Sequence, residues 1–159
     1  LYLRIQDDGD YYARSVHPLM RINPSSLLFR RKEVVQGMGI WDCVRMGADS
    51  EFMVRMRLVF GRKAVKRIAQ PLSLGAHRAN SLMTASSTGY SEAGLSPKRL
   101  DYWEAWSKWH IECLAKREKP RMPSRLGAML AGRSFPVARE MVVDAGHIRA
   151  CIESAVLHG

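Results

Sequence analysis

One stretch restricts the fold more than any other: Ser25-Ser-Leu-Leu-Phe-Arg-Arg-Lys-Glu-Val-Val-Gln-Gly-Met-Gly-Ile-Trp-Asp42, followed closely by Gly47-Ala-Asp-Ser-Glu-Phe52. Asn23-Pro24-Ser25-Ser26 is loop chemistry, after which Leu27 to Phe29 reads as a short buried strand ending in a basic pair. Lys32 to Gln36 reads as one or two helical turns stopped by Gly37, and Gly39-Ile-Trp-Asp42 makes the next turn. From Asp49 onward Phe52, Met53, Met56, Val59 and Phe60 recur on one face of a helix that Gly61 stops.

A chain of 159 residues is long enough for one domain with a core, and folding should bury roughly two thirds of its extended surface. Its 47% hydrophobic and 25% charged residues are ordinary for a globular protein and suggest neither a disordered nor a fibrous architecture. No apolar run approaches the roughly 18 to 20 residues of a membrane helix, so the chain is not expected to cross a bilayer by itself. Leu1-Tyr-Leu-Arg-Ile5 reads as a strand already in progress, without the charged and apolar regions of a signal peptide, and the chain is expected to be a piece of something longer. Cys43, Cys113 and Cys151 are far apart and odd in number, which predicts free thiols and a cytoplasmic location. His110 and Cys113 have helical metal-ligand spacing, but no second Cys/His pair completes a zinc shell. A net charge of +10 calls for an anionic partner, and nucleotide phosphate, lipid phosphate and nucleic acid all satisfy it.

Around this centre, Leu1 to Ile5 and Tyr11 to Ser15 read as a hairpin closed by Asp7-Asp-Gly-Asp10. Asp8 and Asp10 also match an Asp-x-Asp metal pattern, although turn chemistry explains them as well. Ala64 to Ile68 and Leu72 to Leu74 read as short strands, and Ala76 to Leu95 as a long surface loop of the kind that closes over a ligand. Ser96-Pro97 starts a helix expected to reach about Lys119, with Leu100, Trp103, Trp106, His110, Cys113 and Leu114 along its packing stripe. Residues 119–135 read as a basic linker, and helices are expected over Pro136 to Val143 and Asp144 to Leu157.

Across roughly residues 20 to 110, and again at Arg133-Ser-Phe-Pro136, the chain resembles the C-terminal half of family 2 glycosyltransferases, inverting enzymes of the GT-A fold. The order of motifs carries the resemblance: Leu27 to Arg31, then Gly39 to Asp42, then Gly47 to Glu51, then His77-Arg78 to Ser81-Leu82. Ala48 stands where the family usually has Glu, and Met83 interrupts a Ser-Leu-Thr pattern. The resemblance implies an α/β fold: a partial GT-A-like domain over residues 1–118, a short mixed sheet with flanking helices, then the linker and a helical C-terminal region over 136–159. It also implies transfer of a sugar from a nucleotide-sugar donor to a hydroxyl of a glycan or lipid-linked acceptor, in the building of a surface polysaccharide. An anionic membrane surface would then face the basic residues.

In residue terms the resemblance makes Asp49 the base that takes the acceptor's proton. Trp41, Asp42, Glu51, Arg78 and Ser81 become contacts to substrate, with the forked donors of Arg78 aimed at the diphosphate. His77 becomes a candidate ligand of a divalent metal, magnesium or manganese, held mainly by residues outside this chain. Each residue also has a plainer role: a helix cap for Asp49, a favourable dipole charge for Glu51, a turn cap for Asp42, a core anchor for Trp41, and solvation for His77. Two other classes compete with the enzyme, a non-catalytic adaptor derived from a transferase half and a basic nucleic-acid-binding module. The second lacks any recognisable recognition helix, ribonucleoprotein strand motif or zinc knuckle.

Overall fold

The computed structural model describes residues 27–66, 96–123 and 132–143 with their side chains, the isolated residues 68, 70 and 146, and the backbone of 2–5, 11–12, 73–76, 90–91 and 94–95. Three helices organise it: α1 (Arg31–Met38), α2 (Ala48–Phe60) and α3 (Pro97–Ala115). Single 3-10 turns follow at Arg62–Ala64 and Arg139–Met141. Among the described residues strand pairing is confined to short backbone ladders and one isolated antiparallel bridge, Val44 with Val142. Tyr2–Ile5 runs antiparallel to Tyr11–Tyr12 and parallel to Ser73–Ala76, and Tyr90–Ser91 pairs with Gly94–Leu95.

This overturns the expected α/β class. Every side chain of the described core comes from the helices and the loops that join or follow them, and no sheet enters that packed body. The physical reason is visible at Leu27 to Phe29, the segment whose pattern suggested a buried strand. Leu28 is 99% exposed, while Leu27 and Phe29 are half-buried against the cluster formed by α1 and α2. Phe29 lies 5.5 Å from Trp41 and 5.7 Å from Phe52, ring centre to ring centre. Alternation therefore lays one extended segment on helices rather than pairing it in a sheet, a distinction that period-two hydrophobicity alone does not make.

Glycines set the helix ends, though not all where the sequence pointed. Gly37 lies inside α1, where a Cβ would stand 2.6 Å from the ring of Phe60, so the small residue permits close approach of that ring. The stop is Gly39, at φ +81, where a Cβ would fall 1.8 Å from the carbonyl oxygen of Met122. Helix α2 begins after Gly47, which is left-handed and whose carbonyl accepts from the amides of Ser50 and Glu51; Gly61 ends it, as expected. Ser96 precedes α3 with Pro97 at its first position, also as expected, but the hydroxyl of Ser96 makes no capping bond. That helix stops at Ala115 rather than near Lys119. Arg117 adopts φ +58, Glu118 N–H donates to Cys113 O at 2.8 Å and Arg117 N–H to Leu114 O at 3.0 Å, a Schellman ending.

Two apolar clusters result. Val34 and Met38 of α1 meet Phe52, Met53, Met56 and Val59 of α2, with Trp41 stacked on Phe52 at 3.7 Å. Tyr102, Trp106, Trp109 and Cys113 of α3 meet Val44, Met46, Met122, Phe135 and Met141. The buried face of α3 is thus rotated from the expected stripe, since Leu100 and Leu114 are exposed. The described parts of 119–135 supply Pro120, Met122 and Phe135 to the interior, and 136–143 is extended around one 3-10 turn rather than helical. The second expected helix, Asp144 to Leu157, lies outside the described residues. Among the described residues no helix is long and apolar enough to cross a membrane.

Candidate functional site

Where the two clusters meet, α2 and the turn before it carry three acidic side chains with different fates. Glu51 is fully buried. Arg55, one turn further along α2, grips both of its oxygens, Nε to Oε1 at 2.7 Å and Nη2 to Oε2 at 2.9 Å, and is itself fully buried. The same guanidinium donates to Met38 O at the end of α1, which also accepts from the Met122 amide at 3.0 Å, and, at 2.8 Å, to Ile40 O in the following turn. His110 of α3 faces Glu51 Oε1 through Nε2 at 3.0 Å. A carboxylate gripped by Arg is an acceptor, which assigns the proton to Nε2; Nδ1 is buried with no partner among the described residues.

Asp42 forms a second node. Its Oδ1 accepts from Arg133, Nη2 at 2.7 Å and Nε at 3.1 Å, and its Oδ2 accepts from the Tyr102 hydroxyl at 3.1 Å. Burial, reinforced by the charges of Asp42 and Glu51, pushes the Tyr102 hydroxyl far above the ordinary phenol value, so it stays a donor. Cys43 stands beside this node. Burial first, then the charge of Asp42, raises its thiol, and Arg133 acts the other way, so at neutral pH it is protonated and a poor nucleophile.

Asp49 differs from both. It lies in the first turn of α2, half-buried, and its carboxylate makes no hydrogen bond or ion pair with any described residue. Neither does it cap the helix; Gly47 holds that position. Trp41 is half-buried with one ring face on Phe52, which leaves that face unavailable as a sugar platform. Asp42 and Glu51, expected at a substrate, are turned inward onto arginines. His77, Arg78 and Ser81, with Asp8 and Asp10, lie outside the described residues. Among the described residues no group of three or more His, Cys, Asp or Glu side chains converges as a metal shell would.

Sequence reasoning missed the partners Arg55, Tyr102, His110 and Arg133. The four-residue spacings of Glu51 with Arg55 and of Tyr102, Trp106 and His110 were readable signals. Arg133 carried none beyond its place in the Arg133-Ser-Phe-Pro136 resemblance. Compared with known proteins, the chain matches no family model and no curated protein, so the site has to be judged by its own chemistry.

Proposed function

We propose that the chain is the acceptor-side part of a glycosyltransferase that moves a sugar from a nucleotide-sugar donor to a hydroxyl acceptor. The observation that carries this reading is the division of labour among the acids. Asp42 and Glu51 are buried and paired, whereas Asp49, between them in sequence, is left partly open with no partner among the described residues. A helix-end carboxylate held by a rigid surround and not itself consumed by packing fits a base that meets an incoming alcohol.

In the reaction the acceptor oxygen attacks the anomeric carbon while Asp49 takes its proton. The bond to the nucleoside diphosphate breaks, and that group leaves with the electron pair. The configuration at carbon inverts because entry and departure are on opposite faces. Arg78, by its forked donors, is the residue proposed to steady the departing diphosphate, and an anionic lipid surface is the proposed neighbour of the basic exterior.

The test is Asp49→Asn in the full-length protein, which keeps size and polarity and removes the base. With UDP-glucose and other nucleotide sugars as donors, turnover should fall about 100-fold to 10,000-fold with KM for the donor little changed. Undiminished turnover removes Asp49 as base.

A further inference from the structure

We infer that Asp42 and Glu51, together with Tyr102 and His110 of α3, form a two-point bracket that positions Asp49; the inference rests on the reading of Asp49 as base. The segment 43–50 is closed at each end by a buried carboxylate, and each carboxylate is tied to the same face of the same helix. Asp42 is reached by the Tyr102 hydroxyl at 3.1 Å and Glu51 by His110 Nε2 at 3.0 Å. Tyr102 and His110 are about two helical turns apart and therefore on one side of α3.

Between the anchors the segment lies directly on α3. Gly47 is left-handed, and a Cβ there would stand 3.1 Å from the Tyr102 ring. The remaining freedom is removed from another direction: Arg45 N–H donates to Met141 O at 2.8 Å and Val143 N–H to Cys43 O at 3.0 Å. Arg55 and Arg133 neutralise the two carboxylates, which lets both remain buried.

The arrangement explains how Asp49 is held although its own side chain has no described partner. Its backbone follows Gly47, whose carbonyl takes the amides of Ser50 and Glu51, and Glu51 is locked to α3. Displacement of a base by a fraction of an ångström is costly to proton transfer, so a side chain left free for an acceptor needs its main chain fixed by others. Asp42 and Glu51 are accordingly positioning residues rather than substrate contacts.

The experiment measures amide hydrogen exchange in the full-length protein bearing Tyr102→Phe, His110→Leu or His110→Gln. The Phe variant removes only a hydroxyl, and the Gln variant keeps an N–H donor for Glu51. Tyr102→Phe should speed exchange at Arg45 and Ser50 about fivefold, and His110→Leu at Ser50 and Glu51 about tenfold, with Met56 to Phe60 unchanged. His110→Gln should restore most of the protection, and it carries the test with Tyr102→Phe should the Leu variant fail to fold. Unchanged exchange in the variants, or uniform opening along α2, overturns the bracket, the latter because it marks ordinary core packing. UDP-glucose turnover adds the functional arm, in which kcat should fall with local opening while KM holds. Local opening combined with full turnover of Asp49→Asn would support the bracket and remove the base, so the two ideas fail separately.

Discussion

The nodes at Asp42 and Glu51 use the same chemistry, a buried carboxylate held by an arginine and touched by α3, yet they are assembled differently. Glu51 takes its arginine from the same helix, four residues on, and the pair is fully dry. Asp42 takes its arginine from 91 residues away, and that side chain is 12% exposed. A pair built into one helix forms as soon as that helix does. A pair that waits for residues 132–143 to dock reports on the tertiary structure. The Glu51 node should therefore govern whether the body folds, and the Asp42 node whether the later segment closes on it.

The sharpest way to break this contrast is Arg55→Met. It leaves Glu51 buried without its charge partner and removes the guanidinium donor from Ile40 O, while Met38 O keeps the Met122 amide, so a loss of about 3 to 5 kcal/mol is expected in denaturant unfolding. A loss below about 1 kcal/mol would show that the Glu51 side chain escapes to solvent at little cost.

Arg133→Ala should cost less, about 2 kcal/mol, because its site is partly wet and the Tyr102 hydroxyl still reaches Asp42. Cys43 offers a readout that separates the nodes. Its thiol lies above the ordinary value of 9.0 chiefly through burial, with Arg133 opposing the rise. Removing Arg133 should raise it further and slow alkylation by iodoacetamide near pH 8, whereas Arg55→Met in its folded fraction should leave that rate alone. The sign for stability follows from the same direction. A thiol that titrates higher when folded contributes stability that is present below the unfolded value and lost as pH rises through the folded one. The wild type should thus weaken at alkaline pH, and Arg133→Ala should extend the protonated window upward. Faster alkylation of Arg133→Ala than of wild type would mean that the docked segment had simply come away.

How much of this the sequence disclosed follows the same division between local and distant. Helix α2, its glycine stop and the Ser96-Pro97 start of α3 were legible because their signals lie within a turn of the residues they control. The pairing of Glu51 with Arg55 is equally local, but the sequence does not single it out, because a first-turn acid already has a reason to be there. The partners of Asp42 were not legible, since nothing at position 42 announces residues 102 and 133. Leu27 to Phe29 misled for a related reason: an alternating triplet states which side is buried and not what covers it. The glycine stop of α1 was misplaced because Gly37 and Gly39 look alike in sequence, whereas one makes room for Phe60 and the other for Met122.

The smallest expected effect marks the outer limit of the comparison, at the end of α3 beyond both nodes. Arg117 holds φ +58 so that Glu118 and Arg117 can close the last carbonyls of the helix. A left-handed backbone costs a non-glycine residue roughly 1 to 2 kcal/mol, and glycine gives back part of that gain through a more flexible unfolded chain. Arg117→Gly should therefore stabilise the protein by about 0.5 kcal/mol, read as a rise in the denaturation midpoint at constant slope. Because the substitution only relieves the helix end, exchange at Arg45, Ser50 and Glu51 should stay as in the wild type. Were those amides also to slow, the end of α3 would be coupled to the bracket, and the boundary between the nodes and the rest of the helix would have to be moved outward.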